Sequence, residues 1–257
     1  MNVPSAFTLD EGSLELSPTW QSQFSKATLG TGASAREIQQ VQSNLELRLT
    51  FGLPSQWELG FAVGAGWLLR ENHSFTMDSV AIGFRKDIVR KGETWALNVQ
   101  GGLFVPFHQA QGSVVLDLAI AQSYKPWSWL QVDVSVGGQY QSTQQAIGGV
   151  RYDIGVGAFV VPDKLQLIAE WSHAWTFQNE ISSEGLLGMG VNWNVSQTGT
   201  LTLGVLLSFA QFSSAPESVA FVSYAHVFQL PKPSTSRVNN SALASRPSVH
   251  RQPRNVR

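Results

Sequence analysis

Apolar and polar residues alternate with a period of two along most of this chain, most cleanly over residues 57–67, WELGFAVGAGW. Trp57, Leu59, Phe61, Val63, Ala65 and Trp67 fall on one side, and Glu58, Gly60, Ala62, Gly64 and Gly66 on the other. Successive side chains of an extended strand point to opposite faces, so the stretch predicts a strand with one continuous apolar face. Tryptophan opens and closes that face.

The pattern recurs almost to the C-terminus. Before the key strand, Leu45, Leu47, Leu49 and Phe51 alternate with Asn44, Glu46, Arg48 and Thr50. After it come apolar sets running Val80–Phe84, Trp95–Phe107, Val114–Ile120, Leu130–Tyr140, Val150–Val156, Leu165–Trp171, Leu187–Trp193 and Leu201–Phe209. Two end strands, near Ser13–Phe24 and Val219–Phe228, bring the count to about twelve. Pro18 weakens the first, because proline is confined to edges and bulges of sheets. Short connections at LPSQ (53–56), around Arg90–Glu93, KPWS (125–128), VPDK (161–164) and SQTG (196–199) alternate with longer ones such as Ala27–Arg36, Glu71–Ser74 and Phe177–Glu184. A repeated strand, short turn and strand marks an up-and-down meander.

Ten steps at about 3.3 Å span roughly 33 Å, or roughly 25 Å of height at a tilt of about 40°. That is the height of the apolar band on an outer-membrane barrel. The opposite face, rich in glycine and alanine, makes a poor core for a soluble sandwich and suits a crowded lumen. The expected fold is therefore all-β: a single up-and-down antiparallel transmembrane β-barrel of about twelve strands. Residues 1–11 read as an N-terminal extension, 12–229 as the barrel and 230–257 as a disordered tail rich in Pro, Ser and Arg.

Composition changes this picture little. Charged residues make up 14% and mean hydropathy is near zero, and no window approaches the uninterrupted apolar length of a membrane helix. Alternation cancels in such averages, so they do not count against a barrel. With no cysteine, disulfides and thiolate chemistry are excluded. The opening MNVPSAFTLDEG shows neither the basic nor the apolar part of a secretory signal. An outer-membrane protein needs one, so either it precedes this sequence or the compartment differs. The tail carries six of the 17 basic residues and none of the 18 acidic ones, which makes it a solvated extension or an electrostatic dock for anionic lipid or peptidoglycan-associated partners.

Arg at mid-depth on a lipid face costs about 2–4 kcal/mol, so strand parity must turn the charges inward. The lumen-facing candidates are Glu46, Arg48, Glu58, Arg85, Asp87, Asp117, Asp133, Arg151, Asp153 and Glu170, joined by Glu15 and Arg70. They form either a lumen closed by mutually satisfied ion pairs or a charged constriction that filters solutes. Trp57, Trp67, Trp95, Trp171 and Trp193 are expected in aromatic girdles facing lipid. No catalytic residue, metal site or cofactor is expected: the five histidines lack ligand spacing and none has Ser at the second position after it. In WSHAW, Ser172 and His173 point to opposite faces, and His173 reads as a girdle residue. No nucleic-acid signature appears.

With strands and turns in place, residues 12–228 resemble the outer-membrane transporter family of the phenol meta-pathway type. The resemblance lies in GSLELSPTW, LELRLTFGLPSQWELGF, DSVAIGFRKDIVRKGETWALNVQGGLFVPF, LQLIAEW and VAFVSYAHVF. It implies a barrel of about twelve strands in the bacterial outer membrane and passage of small, often hydrophobic or aromatic molecules. No binding residue carries over. The chain departs from the family's pattern in the residues after Phe228, since barrel assembly commonly reads a terminal aromatic. The function expected is a non-enzymatic channel or transporter in contact with outer-membrane lipid. A plugged structural or partner-binding barrel is the alternative, and a soluble β-rich binding protein a more remote one.

Overall fold

Every alternating run becomes a strand. The computed structural model describes the backbone of residues 8–29, 36–68, 74–107, 114–142, 147–177, 181–210 and 218–230, and their side chains except at 25–29, 36–40, 67–68, 74–76, 78 and 210. The strands are β1 (Ser13–Leu29), β2 (Arg36–Leu53), β3 (Trp57–Leu68), β4 (Ser74–Lys91), β5 (Trp95–Pro106) and β6 (Val114–Trp127). They continue with β7 (Leu130–Ser142), β8 (Ile147–Val161), β9 (Leu165–Phe177), β10 (Ile181–Asn194), β11 (Gly199–Ala210) and β12 (Ser218–Gln229). Each pairs antiparallel with its sequence neighbours, and β1 pairs with β12, so the sheet closes as a twelve-stranded up-and-down barrel. Closure leaves no edge strand with unpaired amides, the condition for backbone to cross hydrocarbon.

Exposure fixes which face is which. On β3, Trp57, Phe61 and Val63 are about 40% exposed while Glu58 and Ala62 are buried. The same holds around the wall: Leu116, Leu118 and Ile120 stand out from β6, and Ala119 and Ala121 are buried. The exterior is thus a continuous apolar surface, as a lipid-facing wall requires. Glycine lets the wall fit together in places. Phe84 lies over Gly101, where a Cβ would stand 2.9 Å from its ring.

Turns follow the expected alternation with local corrections. The 3-10 turn Pro54–Gln56 joins β2 to β3 with Ser55 and Gln56 at positive φ. KPWS is not itself the turn. Lys125, Pro126 and Trp127 stay in β6, the register shifts between Tyr124 and Trp127, and the bend falls at residues 128–129. A bulge tolerates a residue without an amide hydrogen, so Pro126 can stay in the strand. The connection expected at Phe177–Glu184 is also mostly strand, since β9 runs to Phe177 and Ile181 pairs with it. The five connections expected as short turns lie at the barrel end that holds Ser13 and Gln229.

Pro18 sits at the closure seam. Its pairing with Leu47 on β2 is kept, but the β1–β12 ladder skips Ser17 and Pro18 between Leu16–His226 and Thr19–Ser223. A missing N–H leaves a gap there. At the seam's end, the Leu230 amide donates to the Gly12 carbonyl at 2.8 Å, tying the chain down before residue 231. The basic tail from Pro231 and Arg70 lie outside the described residues.

Candidate functional site

Strand parity turns the charged candidates away from the apolar exterior, and cross-strand register decides their partners. On neighbouring strands Glu58 (β3) and Arg85 (β4) are paired in register, with Arg85 Nη1 3.3 Å from Glu58 Oε2. Arg151 on β8 bridges two acids: its Nη2 is 3.1 Å from Asp117 and its Nε 3.4 Å from Asp153. Asp153 is fully buried and also accepts hydrogen bonds from Ser135 (2.6 Å) and Ser172. Asp133 accepts from both Gln131 and Ser123. Glu170 is buried where a Cβ on Gly188 would overlap it. These acids are held in place by short side chains and bare backbone around them.

Arg48 differs from the rest. Its Nη2 is 2.9 Å from Glu46 Oε1, two residues away on the same strand, and its side chain is 57% exposed to the barrel interior. It lines both cavities of the lumen. One, of about 490 Å³, is walled by Glu15, Glu46, Asp133 and Glu170, with Arg48 as its sole basic lining residue among the described residues. The other, of about 520 Å³, holds Arg85 and Arg151 beside Glu58 and Asp117. Part of its wall is nearly bare: Gly60, Ala62, Ala81, Gly83 and Gly102 run along it, flanked by Phe104 and Val115.

Alternation puts Val115 on the inner side with Asp117 but does not single out the other apolar inner residues. Phe104, Val115, Leu206 and Phe221 occupy positions that pair with other inner residues, such as Ala81 with Phe104 and Gly204 with Phe221. In Gly101–Phe107 and Val219–Phe228 apolar residues stand at both parities, so period-two reading cannot see them. The register with an already oriented neighbour could.

The N-terminal extension also enters the site. Before β1, residues 8–12 lie against β2–β4 at the short-turn end of the barrel, and Thr8 is buried with its Oγ1 donating to Asp87 Oδ2 at 2.8 Å. The Leu9 amide donates to Glu58 Oε1, and Arg90 Nη1 donates to the Thr8 carbonyl at 3.3 Å. Gly12 N donates to Gly52 O at 2.9 Å. Gly52 is buried where a Cβ would overlap the Asp10 carbonyl, so only glycine lets the segment pass.

On the exterior, Trp57 and Trp193 are exposed at the short-turn ends of their strands. Trp95 is half-buried there with Lys91 Nζ 5.7 Å from its ring. Trp171 stands midway along β9, and the level nearer the other end is carried by Trp175 and Phe177. The side chain of Trp67 lies outside the described residues. His173 packs among Tyr152, Trp171 and Trp175, its ring 4.6 Å from that of Trp175, while Ser172 faces Asp153 inside. Among the described residues no group of three His, Cys, Asp or Glu is placed to hold a metal.

An apolar exterior, a closed antiparallel wall and a charged, divided lumen define the class: a β-barrel of the outer-membrane type. No protein-family model matches the sequence, and no curated protein does. Solved barrels do match in structure. The COG4313 outer membrane channel from Pseudomonas putida F1 superposes with a TM-score of 0.67 at 12% identity, over 87% of this chain and 98% of that one. The KdgM porin, in complex with disordered oligogalacturonate, gives 0.54 at 7% identity over 82% and 99%. The NanC porin gives 0.53 at 8% over 83% and 98%. At such identities the shared property is the fold.

Proposed function

We propose that this chain is a bacterial outer-membrane barrel that passes small molecules passively, along a path pinched by charge at Arg48. The observation that carries the reading is that Arg48 lines both lumen cavities and is held by a single exposed ion pair. An exposed pair is worth about 0–1 kcal/mol, so the side chain can swing aside at little cost. Glu46, Glu58, Asp87, Asp117, Asp133, Asp153 and Glu170 outnumber Arg48, Arg85 and Arg151 around the path, which favours cations and neutral solutes over anions. The Gly–Ala wall beside Phe104 and Val115 gives an apolar or aromatic body a surface to slide along. This agrees with the solute class that the phenol meta-pathway resemblance implies. The fold shared with channel and porin barrels supports the reading at the level of architecture.

The test is planar-bilayer conductance of wild type and Arg48→Ala. Truncating Arg48 should raise conductance and strengthen cation preference, since Glu15, Glu46, Asp133 and Glu170 remain. Arg48 is the cleaner target than Arg151, whose loss would strand buried Asp153 without its cation at about 3–5 kcal/mol. Current through neither protein, both folded, would favour the plugged structural barrel, for which the Arg85–Glu58 and Arg151–Asp117 pairs speak.

A further inference from the structure

We infer that the exterior of β4 docks anionic glycerophospholipid at the short-turn end, with headgroup phosphates at Lys86 and Lys91 and acyl chains along the apolar residues next to them. The inference rests on the outer-membrane reading and holds whether or not the lumen conducts. Lys86 pairs in register with Trp57 and Lys91 with Trp95, so both lysines share the outward parity of girdle tryptophans. Each ammonium nitrogen stands 5.7 Å from the ring centre of its partner. A lysine facing lipid is tolerated at headgroup level and costly at mid-depth, and tryptophan marks the headgroup level. The face of the indole attracts the ammonium, which keeps the charge against the wall instead of free in water.

The protein leaves both charges open to an outside anion. Lys86 Nζ donates to the Ser55 carbonyl, which takes one of its three protons. Asp10 and Glu11 border the same cavity as Lys86, yet among the described residues no acid forms an ion pair with Lys86 or Lys91. Toward mid-strand the wall turns apolar. The shifted register between Asp87 and Val89 leaves Ile88 and Val89 both exposed next to Lys91, and Ile82 and Phe84 are exposed next to Lys86. Cation at the rim and hydrocarbon toward mid-depth match the polarity of a phospholipid standing in one leaflet. Short turns of bacterial barrels face the periplasm, so the leaflet is the inner one, which is built of glycerophospholipid. An anionic headgroup fits better than a zwitterionic one, whose own ammonium would meet two cations.

The test uses the full-length folded protein, delipidated in detergent and incubated with phosphatidylglycerol or phosphatidylethanolamine of the same acyl chains, with bound lipid counted by mass spectrometry of the intact complex. Wild type should retain phosphatidylglycerol several-fold more than phosphatidylethanolamine at low salt. That preference should shrink several-fold between roughly 0.05 and 0.5 M salt as screening sets in, a readout that needs no variant. Lys86→Gln with Lys91→Gln should bring the two lipids to near parity, whereas Lys86→Arg with Lys91→Arg should keep the preference. Lys164→Gln, in the β8–β9 turn at the same end, should leave it unchanged. Equal retention of the two lipids by wild type, or a preference that salt or the glutamine pair leaves intact, would overturn the proposal. An equal loss with Lys164→Gln would mean diffuse attraction by the whole rim and would overturn it too. A chain that binds neither lipid and stays soluble without detergent removes the outer-membrane reading together with the site.

Discussion

Arg48 and Arg151 carry the same charge on the same inner surface, and their surroundings set different roles. Arg151 is fixed by two acids, one of them fully buried, and acts as part of the wall. Arg48 has one near neighbour in sequence and open space ahead of it. Parity matters as sharply on β3. Val63 is 40% exposed on the outer face near mid-strand, whereas a Cβ at inner Gly60 would meet nothing closer than 3.8 Å. Val63→Arg should therefore impair membrane insertion by about 2–4 kcal/mol, and Gly60→Ala should cost far less. Refolding yields into lipid vesicles across a urea series measure both. Equal penalties would mean that the face assignment of β3 is wrong.

Among the elements, the closure strands differ from the interior ones. β1 and β2 are paired continuously from Leu14–Phe51 to Leu29–Arg36, whereas the β1–β12 ladder is broken at Ser17 and Pro18. Pro18→Thr would restore an amide at the gap and suit a pleated surface. The temperature at which the folded band disappears on a denaturing gel should rise. A fall would show that proline's rigid φ contributes more to β1 than the missing hydrogen bond removes. The β4–β5 pair is irregular in a different way. Its register shifts between Asp87 and Val89, leaving Ile88 outside while Asp87 turns in to accept from Thr8. A bulge of this kind re-aims a side chain, and here it brings Asp87 to Thr8.

For the whole molecule, closure is the dominant physical fact. Every strand is hydrogen-bonded on both sides, so detergent finds no edge at which to begin unravelling the sheet. Unheated protein should migrate at a different apparent mass from boiled protein on a denaturing gel. A chain that instead stays monomeric and soluble without detergent cannot be presenting this exterior to lipid.

The sequence by itself determined the strands, about twelve of them, and the outward face of those that alternate cleanly. Period-two alternation is a local property, and Trp57–Trp67 or Leu116–Ile120 display it without help from neighbours. It also put Arg85 and Arg151 on the inner side, because a charge at mid-depth facing lipid is too costly. Tertiary structure alone decided the rest. Whether Arg151 meets Asp117 and Asp153, or Arg85 meets Glu58, depends on register between strands, which no single strand encodes. Phe104 and Phe221 turn inward because their partners do, in segments where both parities are apolar. The seating of Thr8 was least legible of all: Thr8 and Asp87 lie 79 residues apart, and a short segment before the first strand carries no periodicity to say where it will pack.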